Sequence, residues 1–187
     1  VLKYRMPNEH HEVPLSDALQ AIRIVREHAE EWGISKVGIM GSSAGGHLTL
    51  MGVTSSMHNS YLAIDDIDRL PCNVQWGIGI YPAYALTDGA NKNNTTGGNA
   101  DSAVLVPEFS FDLNTAPMLM IHGDADGWAS MNSVKVWEKM RSMGIQSELH
   151  TLALRPHCFQ RTAAPGTGSY THLDRIGEYL KQRLDIK

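Results

Sequence analysis

Apolar and polar residues follow one another along this chain in two alternating patterns, which predict strands and helices in succession. Short apolar runs, typical of buried strands, occupy residues 1–6, 36–40, 74–80, 118–121 and 148–152. Apolar residues that recur every three or four positions predict helices at about 14–33, 44–55, 133–143 and 170–184. This alternation indicates an α/β fold, with a mostly parallel sheet of roughly five strands and helices on both faces.

The ends of the first predicted helix carry residues that commonly begin and end helices. Ser16 or Asp17 is expected to accept hydrogen bonds from the free N–H groups at its start. Gly33 is expected to end it, as Gly144 is expected to end the helix at 133–143. Between its ends, the apolar stripe consists of Ala18, Ile22, Val25, Ala29 and Trp32.

The composition is that of a soluble globular protein and argues against several classes. At 187 residues, with 42% hydrophobic residues and a mean hydropathy of −0.24, the chain fits one domain, residues 1–187. No apolar run approaches the length of a membrane span. A net charge of −4 with scattered cations argues against nucleic acid or an anionic membrane as a partner. Cys72 and Cys158 are too few for a disulfide framework, and the sequence leaves their pairing open.

One connection departs from the regular alternation. Between Tyr81 and Pro117 the chain is rich in Asn, Gly and Thr and much longer than a minimal turn. We expect residues 83–115 to form a polar loop. Two interpretations of it stay open, a lid over a binding site and a disordered surface excursion.

A glycine-flanked serine lies between a predicted strand and a predicted helix. Gly41-Ser42-Ser43-Ala44-Gly45 fits the pattern G-x-S-x-G, a turn that strains the central serine and lifts its hydroxyl clear of the sheet. Side chains two residues to either side would collide, which predicts a need for glycine at both ends. The N–H of Ala44, at the helix start, is then placed to stabilise an oxyanion. Ser42 competes as nucleophile, but only Ser43 has both glycines in register.

Partners for a nucleophilic serine follow later in the chain. A serine needs a base, and the base needs a carboxylate that orients it. Asp126 lies just after the predicted strand at 118–121, and His157 lies just after the one at 148–152. This is the chain order of an α/β-hydrolase triad. We therefore predict that Ser43, Asp126 and His157 form a catalytic triad.

Four segments together resemble a known family: YRMPNEHHEVPLSDALQAIRIVR, GSSAGGHL, IHGDADGWASMNSV, and HCFQ followed by GTGSYTHLDRIGEYL. Nearly the whole chain is similar to the C-terminal two-thirds of a lipase/esterase-type α/β-hydrolase, in the acetylxylan-esterase-like, BD-FAE-like group. The resemblance implies a serine esterase with Ser43 as nucleophile, Asp126 as acid and His157 as base. The family's H-G-x-x-D pattern selects Asp126 over Asp124. The resemblance implies no cofactor, and favours short acyl groups, acetyl foremost, on plant-polysaccharide sugars.

Several side chains near the motifs are weaker candidates for substrate binding. Ser42, Tyr81 and Trp128 are candidates for lining an acyl or sugar pocket, although packing is the simpler interpretation for Trp128. Cys158 follows the histidine where the wider fold often has glycine, and we interpret it as a feature of the subgroup rather than a second nucleophile.

The remaining histidines are interpreted as structural. His47 is expected to be packed and hydrogen-bonded, and His122 to cap a strand turn. No metal site is predicted, because the histidines lack ligand spacings such as H-E-x-x-H.

The sequence supplies one oxyanion donor where acyl transfer needs at least two. In the resembled family the second comes from an HGGG-type loop, and no such segment precedes Ser43. The resemblance therefore implies that the first strands and the second donor lie outside this chain, which would expose a sheet edge near VLKYRM. We expect a homo-oligomer, a longer precursor or a second chain to complete the fold. The chain begins with Val and shows no secretory signal, so its compartment stays open.

Three functions stay open at the level of sequence. The first is a carboxylic-ester hydrolase that acts through an acyl-enzyme. The second is a serine peptidase of the prolyl-oligopeptidase type, which shares the fold but usually carries a large further domain that this chain does not show. The third is a weakly catalytic or non-catalytic relative, favoured by the absent oxyanion loop and opposed by the intact triad order.

Overall fold

The computed structural model describes residues 1–6, 10–55, 61–87 and 103–186. The four helices are α1 (Glu12–Glu27), α2 (Ala44–Ser55), α3 (Met131–Ser142) and α4 (Thr171–Leu184). The four strands are β1 (Gly38–Ser42), β2 (Trp76–Ile80), β3 (Met118–Gly123) and β4 (Ser147–Leu152). Short 3₁₀ turns occur at Ile67–Arg69 and Phe159–Thr162. The predicted helices and all predicted strands except the first are therefore present, with shifted ends.

The strands form one parallel sheet in the order β1-β2-β3-β4. Each strand is followed by a helix or a long connection, so each crossover returns the chain to the same end of the sheet. All the carboxyl ends of the strands consequently lie along one edge. This arrangement confirms the predicted α/β fold and places the segments that follow β1, β2, β3 and β4 side by side.

The sheet is covered on both faces, as the alternation along β3 illustrates. Met118 and Met120 belong to an apolar cluster shared with α1, α2 and α3, whereas Leu119 and Ile121 belong to a second cluster shared with α4. All four of these side chains have no solvent exposure. Because successive residues of a strand point to opposite faces, the apolar run at the start of β3 supplies both cores. Among the described residues, no helix is long and apolar enough to cross a bilayer.

The prediction that VLKYRM forms a strand is wrong. Residues 1–6 have no regular secondary structure. The backbone N–H of Arg5 donates to Asp17 Oδ2 at 2.8 Å, and its guanidinium donates to Asp17 Oδ1 at 2.6 Å. The segment is thus held against α1 by a side chain rather than by a neighbouring strand. Within the described residues the sheet has four strands instead of five, and its edge on this side is β1.

The predicted ends of α1 are also wrong in detail. The helix begins at Glu12, after His11, whose side chain makes no capping hydrogen bond. The Ser16 hydroxyl donates to the carbonyl of Glu12 at 2.6 Å, so Ser16 lies inside the helix rather than at its start. The carboxylate of Asp17, the other predicted cap, accepts hydrogen bonds from Arg5. The helix ends at Glu27, and Gly33, at φ +65°, instead closes a later turn in which Ile34 N–H donates to Ala29 O at 2.8 Å.

The predicted polar loop is described only at its two ends, because residues 88–102 lie outside the described residues. These ends are joined by an antiparallel bridge between Leu86 and Leu105. The N–H of Ala85 donates to Asn132 Oδ1 at 2.7 Å, which fixes the first end to the start of α3. The lid interpretation stays a prediction.

Cys72 and Cys158 are both free thiols.

The turn from β1 into α2 is as sharp as its sequence predicts. Ser43 has φ +56°, in the left-handed region that residues other than glycine rarely adopt. A Cβ atom on Gly41 would lie 2.2 Å from the carbonyl oxygen of Gly45, so only glycine fits there. The predicted need for glycine at Gly45 is wrong, because its nearest neighbour would be Tyr4 Oη at an ordinary 3.9 Å. Gly46 is the constrained position, since its Cβ would lie 2.9 Å from Pro82 Cα.

We expect Gly41→Ala to lower the free energy of unfolding by about 1–3 kcal/mol, because its methyl group would overlap the backbone of Gly45. Gly45→Ala is the matched control from the same motif. It lies in the first turn of α2 with room for a methyl group, and should be neutral or stabilise by up to about 1 kcal/mol. Urea unfolding followed by circular dichroism measures both. Equal losses in the two variants would contradict the assigned geometry.

Candidate active site

Of the three residues predicted to form a triad, His157 lies within hydrogen-bonding distance of both Ser43 and Asp126. Ser43 Oγ lies 2.8 Å from His157 Nε2, and His157 Nδ1 lies 2.7 Å from Asp126 Oδ2. Ser43 follows β1, Asp126 follows β3 and His157 follows β4, so the shared edge of the sheet brings them together. With Nδ1–H donated to the carboxylate, the Nε2 lone pair faces the serine hydroxyl. This is the tautomer that a general base requires.

The serine lies at the start of a helix. The N–H of Ser43 donates to Ile80 O at 3.0 Å, and its carbonyl accepts from His47 N–H at 3.1 Å and Ala83 N–H at 3.3 Å. Ala44 is the first residue of α2, so its N–H has no acceptor within the helix and belongs to the positive end of the helix dipole. The position of Ala44 therefore suits the oxyanion role expected of it.

The carboxylate of Asp126 is fully buried and surrounded by donors. Its Oδ2 receives His157 and lies 3.4 Å from His122 Nε2, and its Oδ1 accepts Trp128 N–H at 2.8 Å. Burial by itself raises the pKa of Asp126. Hydrogen bonds from His122, His157 and Trp128 N–H outweigh burial and hold that pKa below its ordinary value of 3.8. The group is therefore a stable carboxylate at neutral pH, able to stabilise a positive charge on His157.

His122 is a residue of this site that the sequence interpretation did not identify. It was expected to cap a strand turn, but its side chain has no solvent exposure and lies between Asp126 and α3. Its Nδ1 lies 2.8 Å from Ser133 Oγ, and its Nε2 lies 2.9 Å from Trp128 O. Because a carbonyl only accepts, Nε2 carries the proton and presents it to the side of Asp126 as well. The signal available in the sequence was a histidine four residues before the acid.

Tyr81 lies beneath the triad rather than in an open pocket. Its side chain is 1% exposed and packs edge-on against the ring of His157, with the ring centroids 4.8 Å apart. It also packs edge-on against the ring of Phe159, with the ring centroids 5.2 Å apart. Burial raises the pKa of Tyr81 to about 12, so the phenol stays neutral. The ring of Tyr81 thus supports the imidazole, and its role at the border of a pocket stays a prediction.

The other two predicted substrate-binding residues are partly exposed beside the triad. Ser42 Oγ accepts a hydrogen bond from Gln160 Nε2 at 3.3 Å. Trp128 packs against Tyr84, with ring centroids 4.3 Å apart. Cys158 has φ +59° and directly precedes the 3₁₀ turn that begins at Phe159, so it turns the chain after His157. A substrate role for Ser42 and Trp128 stays a prediction.

Similarity to solved structures identifies the class of the fold. The chain superimposes on an acetyl ester-xyloside bifunctional hydrolase from Caldicellulosiruptor lactoaceticus with a TM-score of 0.75 and 21% identity, covering 99% of this chain and 71% of that one. It superimposes on esterase Est2 of Thermogutta terrifontis with a TM-score of 0.72 and 22% identity, covering 96% and 68%. The fold is that of the α/β-hydrolases.

Sequence similarity identifies the family. The BD-FAE family model matches residues 1–140, so the chain belongs to the BD-FAE family. This confirms the resemblance inferred from the motifs. A curated relative, an acetylxylan esterase of Xylanibacter ruminicola, is 47% identical over 58 residues. That match spans 30% of this chain and 12% of the relative.

The lowered pKa of Asp126 predicts a pH dependence of stability. A carboxyl whose folded-state pKa is below its unfolded value stabilises the fold above the unfolded pKa, and this contribution is lost as the pH falls through the folded pKa. The free energy of unfolding of the native protein should therefore exceed that of Asp126→Asn by more at about pH 7 than at about pH 3. Urea titrations of both proteins measure the difference. A difference that is constant with pH would contradict the predicted pKa.

Proposed function

We propose that this chain is a serine carboxylic-ester hydrolase that acts through an acyl-enzyme. The observation that carries the proposal is the continuous arrangement of Ser43 Oγ, His157 and Asp126, with separations of 2.8 and 2.7 Å, on a strained turn at the start of a helix. This combination serves nucleophilic attack on an acyl carbon, because it supplies a nucleophile, a base and an orienting carboxylate.

In the proposed mechanism, Ser43 Oγ forms a bond to the ester carbonyl carbon while its proton passes to His157 Nε2. The carbonyl oxygen becomes an oxyanion, which the N–H of Ala44 stabilises. The bond to the alcohol oxygen then breaks, and His157 returns the proton to that oxygen. Water attacks the acyl-enzyme by the same route in reverse, giving the carboxylic acid and free Ser43. Asp126 stabilises the imidazolium in both halves without taking its proton.

The proposed substrates are esters of short acyl groups, acetyl foremost, on plant-polysaccharide sugars. The proposal is supported by the acetylxylan esterase from Xylanibacter ruminicola and the acetyl ester-xyloside hydrolase from Caldicellulosiruptor lactoaceticus. The Thermogutta terrifontis esterase 2 has also been crystallised phosphorylated by paraoxon. An organophosphate that modifies a relative is a natural probe of a serine nucleophile here.

A weakly catalytic or non-catalytic relative stays the second candidate, because the described residues supply one identified oxyanion donor, the N–H of Ala44. Loss of one oxyanion donor typically lowers kcat by about 10²–10³. The two candidates are distinguished by turnover: an esterase hydrolyses an activated ester repeatedly, whereas a non-catalytic relative does not.

We expect Ser43→Ala to lower kcat for p-nitrophenyl acetate by about 10⁴–10⁶, since it removes the attacking atom. It should also abolish covalent labelling by a fluorophosphonate probe. Ser43→Gly is a second test variant, because glycine adopts φ +56° without strain and should keep the fold. Circular dichroism confirms that both variants are folded.

Ser42→Ala is the matched control for the choice of nucleophile. This variant should still be labelled by the probe, because Ser43 remains. Labelling that is lost in Ser42→Ala but kept in Ser43→Ala would contradict the assignment. The absence of labelling and turnover in the native protein would favour the non-catalytic relative, and activity only on a proline-containing peptide would favour the peptidase.

We further expect kcat/KM to fall as the acyl chain lengthens from acetyl to butyryl to octanoyl p-nitrophenyl esters. Release of acetate from acetylated xylan, measured beside Ser43→Ala, tests the sugar ester directly. A preference for the octanoyl ester would overturn the proposed substrate class while leaving the triad in place.

A further inference from the structure

Three side chains with metal-ligand chemistry meet beside α2, away from the triad. His11 directly precedes α1, His47 lies in α2 one turn after Ser43, and Glu108 lies in the segment that leads to β3. One nitrogen or oxygen from each lies within 4.8 Å of the other two. His47 Nε2 is 3.6 Å from Glu108 Oε1, and His11 Nε2 is 3.9 Å from the same oxygen. No function has so far been given to these residues.

The hydrogen bonding of His47 leaves one nitrogen without a partner. Its Nδ1 lies 3.1 Å from the carbonyl oxygen of Ala83, which can only accept, so Nδ1 carries the proton. Its Nε2 therefore presents a lone pair. That atom is buried and makes no hydrogen bond, in a residue that is only 8% exposed. Leaving a buried nitrogen without a partner costs folding free energy.

The unpartnered nitrogen faces a carboxylate. Two sets of lone pairs 3.6 Å apart repel each other unless a positive charge lies between them. The ring proton lies on Nδ1, where it donates to Ala83, and Nε2 makes no hydrogen bond to the carboxylate. A neutral imidazole whose lone pair faces a carboxylate is the state in which histidine binds a metal ion.

We propose that His11, His47 and Glu108 bind a divalent transition-metal ion, for which Zn²⁺ is the best match. Two imidazole nitrogens and one carboxylate oxygen suit Zn²⁺, whereas Ca²⁺ and Mg²⁺ prefer oxygen ligands alone. A tetrahedral Zn²⁺ with bonds of 2.0–2.1 Å needs ligand atoms about 3.3 Å apart. The observed 3.6 and 3.9 Å require small movements, which His11 can make because its side chain is 61% exposed.

The surroundings of His47 are those of a metal ligand in other respects. A metal-bound histidine usually donates its other ring N–H to a carbonyl or carboxylate, as His47 does to Ala83. The ring of His47 also packs on Phe109, with centroids 5.0 Å apart, so the orientation of its lone pair is fixed. The expectation of no metal site rested on local spacing, which does not detect ligands drawn from three distant segments.

The proposed ion would join three parts of the chain next to the turn from β1 into α2. Ala83 N–H and His47 N–H both donate to the carbonyl of Ser43. An ion on His47 and Glu108 would therefore hold the segment before β3 against α2, which begins directly after Ser43. We infer a structural role, with a fourth coordination position left for water.

The test is titration of the metal-free protein, prepared with a chelator, with ZnCl₂ in a calorimeter. We expect one ion per chain. At about a hundredfold excess over Kd, Zn²⁺ should raise Tm by about 5–10 °C. His11→Ala and Glu108→Gln should weaken binding by more than about 100-fold, since each removes a direct ligand. The Co²⁺-loaded protein should show the visible absorption of four-coordinate cobalt, and both variants should lose it.

His28→Ala is the matched control. His28 Nδ1 lies 3.0 Å from Glu31 Oε2, so this pair combines an exposed histidine with a carboxylate but is not part of a three-ligand group among the described residues. Its removal should leave Zn²⁺ affinity unchanged. An equal loss in His28→Ala would mean non-specific binding and overturn the proposal. So would the absence of binding to the native protein, or binding that His157→Ala abolishes and His11→Ala does not.

Discussion

The whole site depends on a close approach of two backbone segments at the end of β1. Gly41 and the carbonyl of Gly45 lie so near each other that no side chain fits between them, and this contact forces the chain to reverse within a few residues. The reversal places Ser43 in a left-handed conformation with its hydroxyl above the sheet and its N–H bonded to Ile80. A strained residue persists only where surrounding interactions fix it. Here the sheet on one side and α2 on the other supply those interactions.

The parallel sheet then determines which residues can reach the serine. Since all four strands run in the same direction, the residues that follow β1, β3 and β4 lie along one edge, although they are far apart in sequence. The buried carboxylate of Asp126 completes the group because three hydrogen-bond donors stabilise its charge. Burial provides a rigid, poorly screened environment, and the donors keep the group ionised within it.

Much of this could be predicted from the sequence, and the exceptions have identifiable physical causes. The pattern of apolar residues located all four strands of the sheet, and most clearly β3, because burial on both faces leaves a continuous apolar run, Met118–Ile121. VLKYRM has a similar local pattern but no strand partner, since Asp17 takes the N–H of Arg5. Local propensity does not include that tertiary competitor. For the same reason the sequence did not distinguish Gly45, which has space around it, from Gly46, which does not.

The side chains missed by sequence reasoning share one property, which is that their partners come from elsewhere in the chain. The role of His122 depends on its contacts with Ser133 and Asp126, and that of His47 on its contacts with Ala83 and Glu108. A residue type shows what chemistry is available, whereas its neighbours decide which nitrogen carries a proton. Those neighbours are set by the tertiary structure, whereas both histidines were interpreted from the residues next to them in sequence.

Both backbone polar groups of Ser43 are hydrogen-bonded: its N–H donates to the last residue of β2, and its carbonyl accepts from His47 in α2 and from Ala83. Moving Ser43 therefore requires breaking its hydrogen bonds to β2, α2 and Ala83. Its amide proton should exchange with solvent only through rupture of the central parallel strands. On heating, the displacement of Ser43 and the unfolding of the sheet would then occur together, without a folded intermediate in which only Ser43 is displaced.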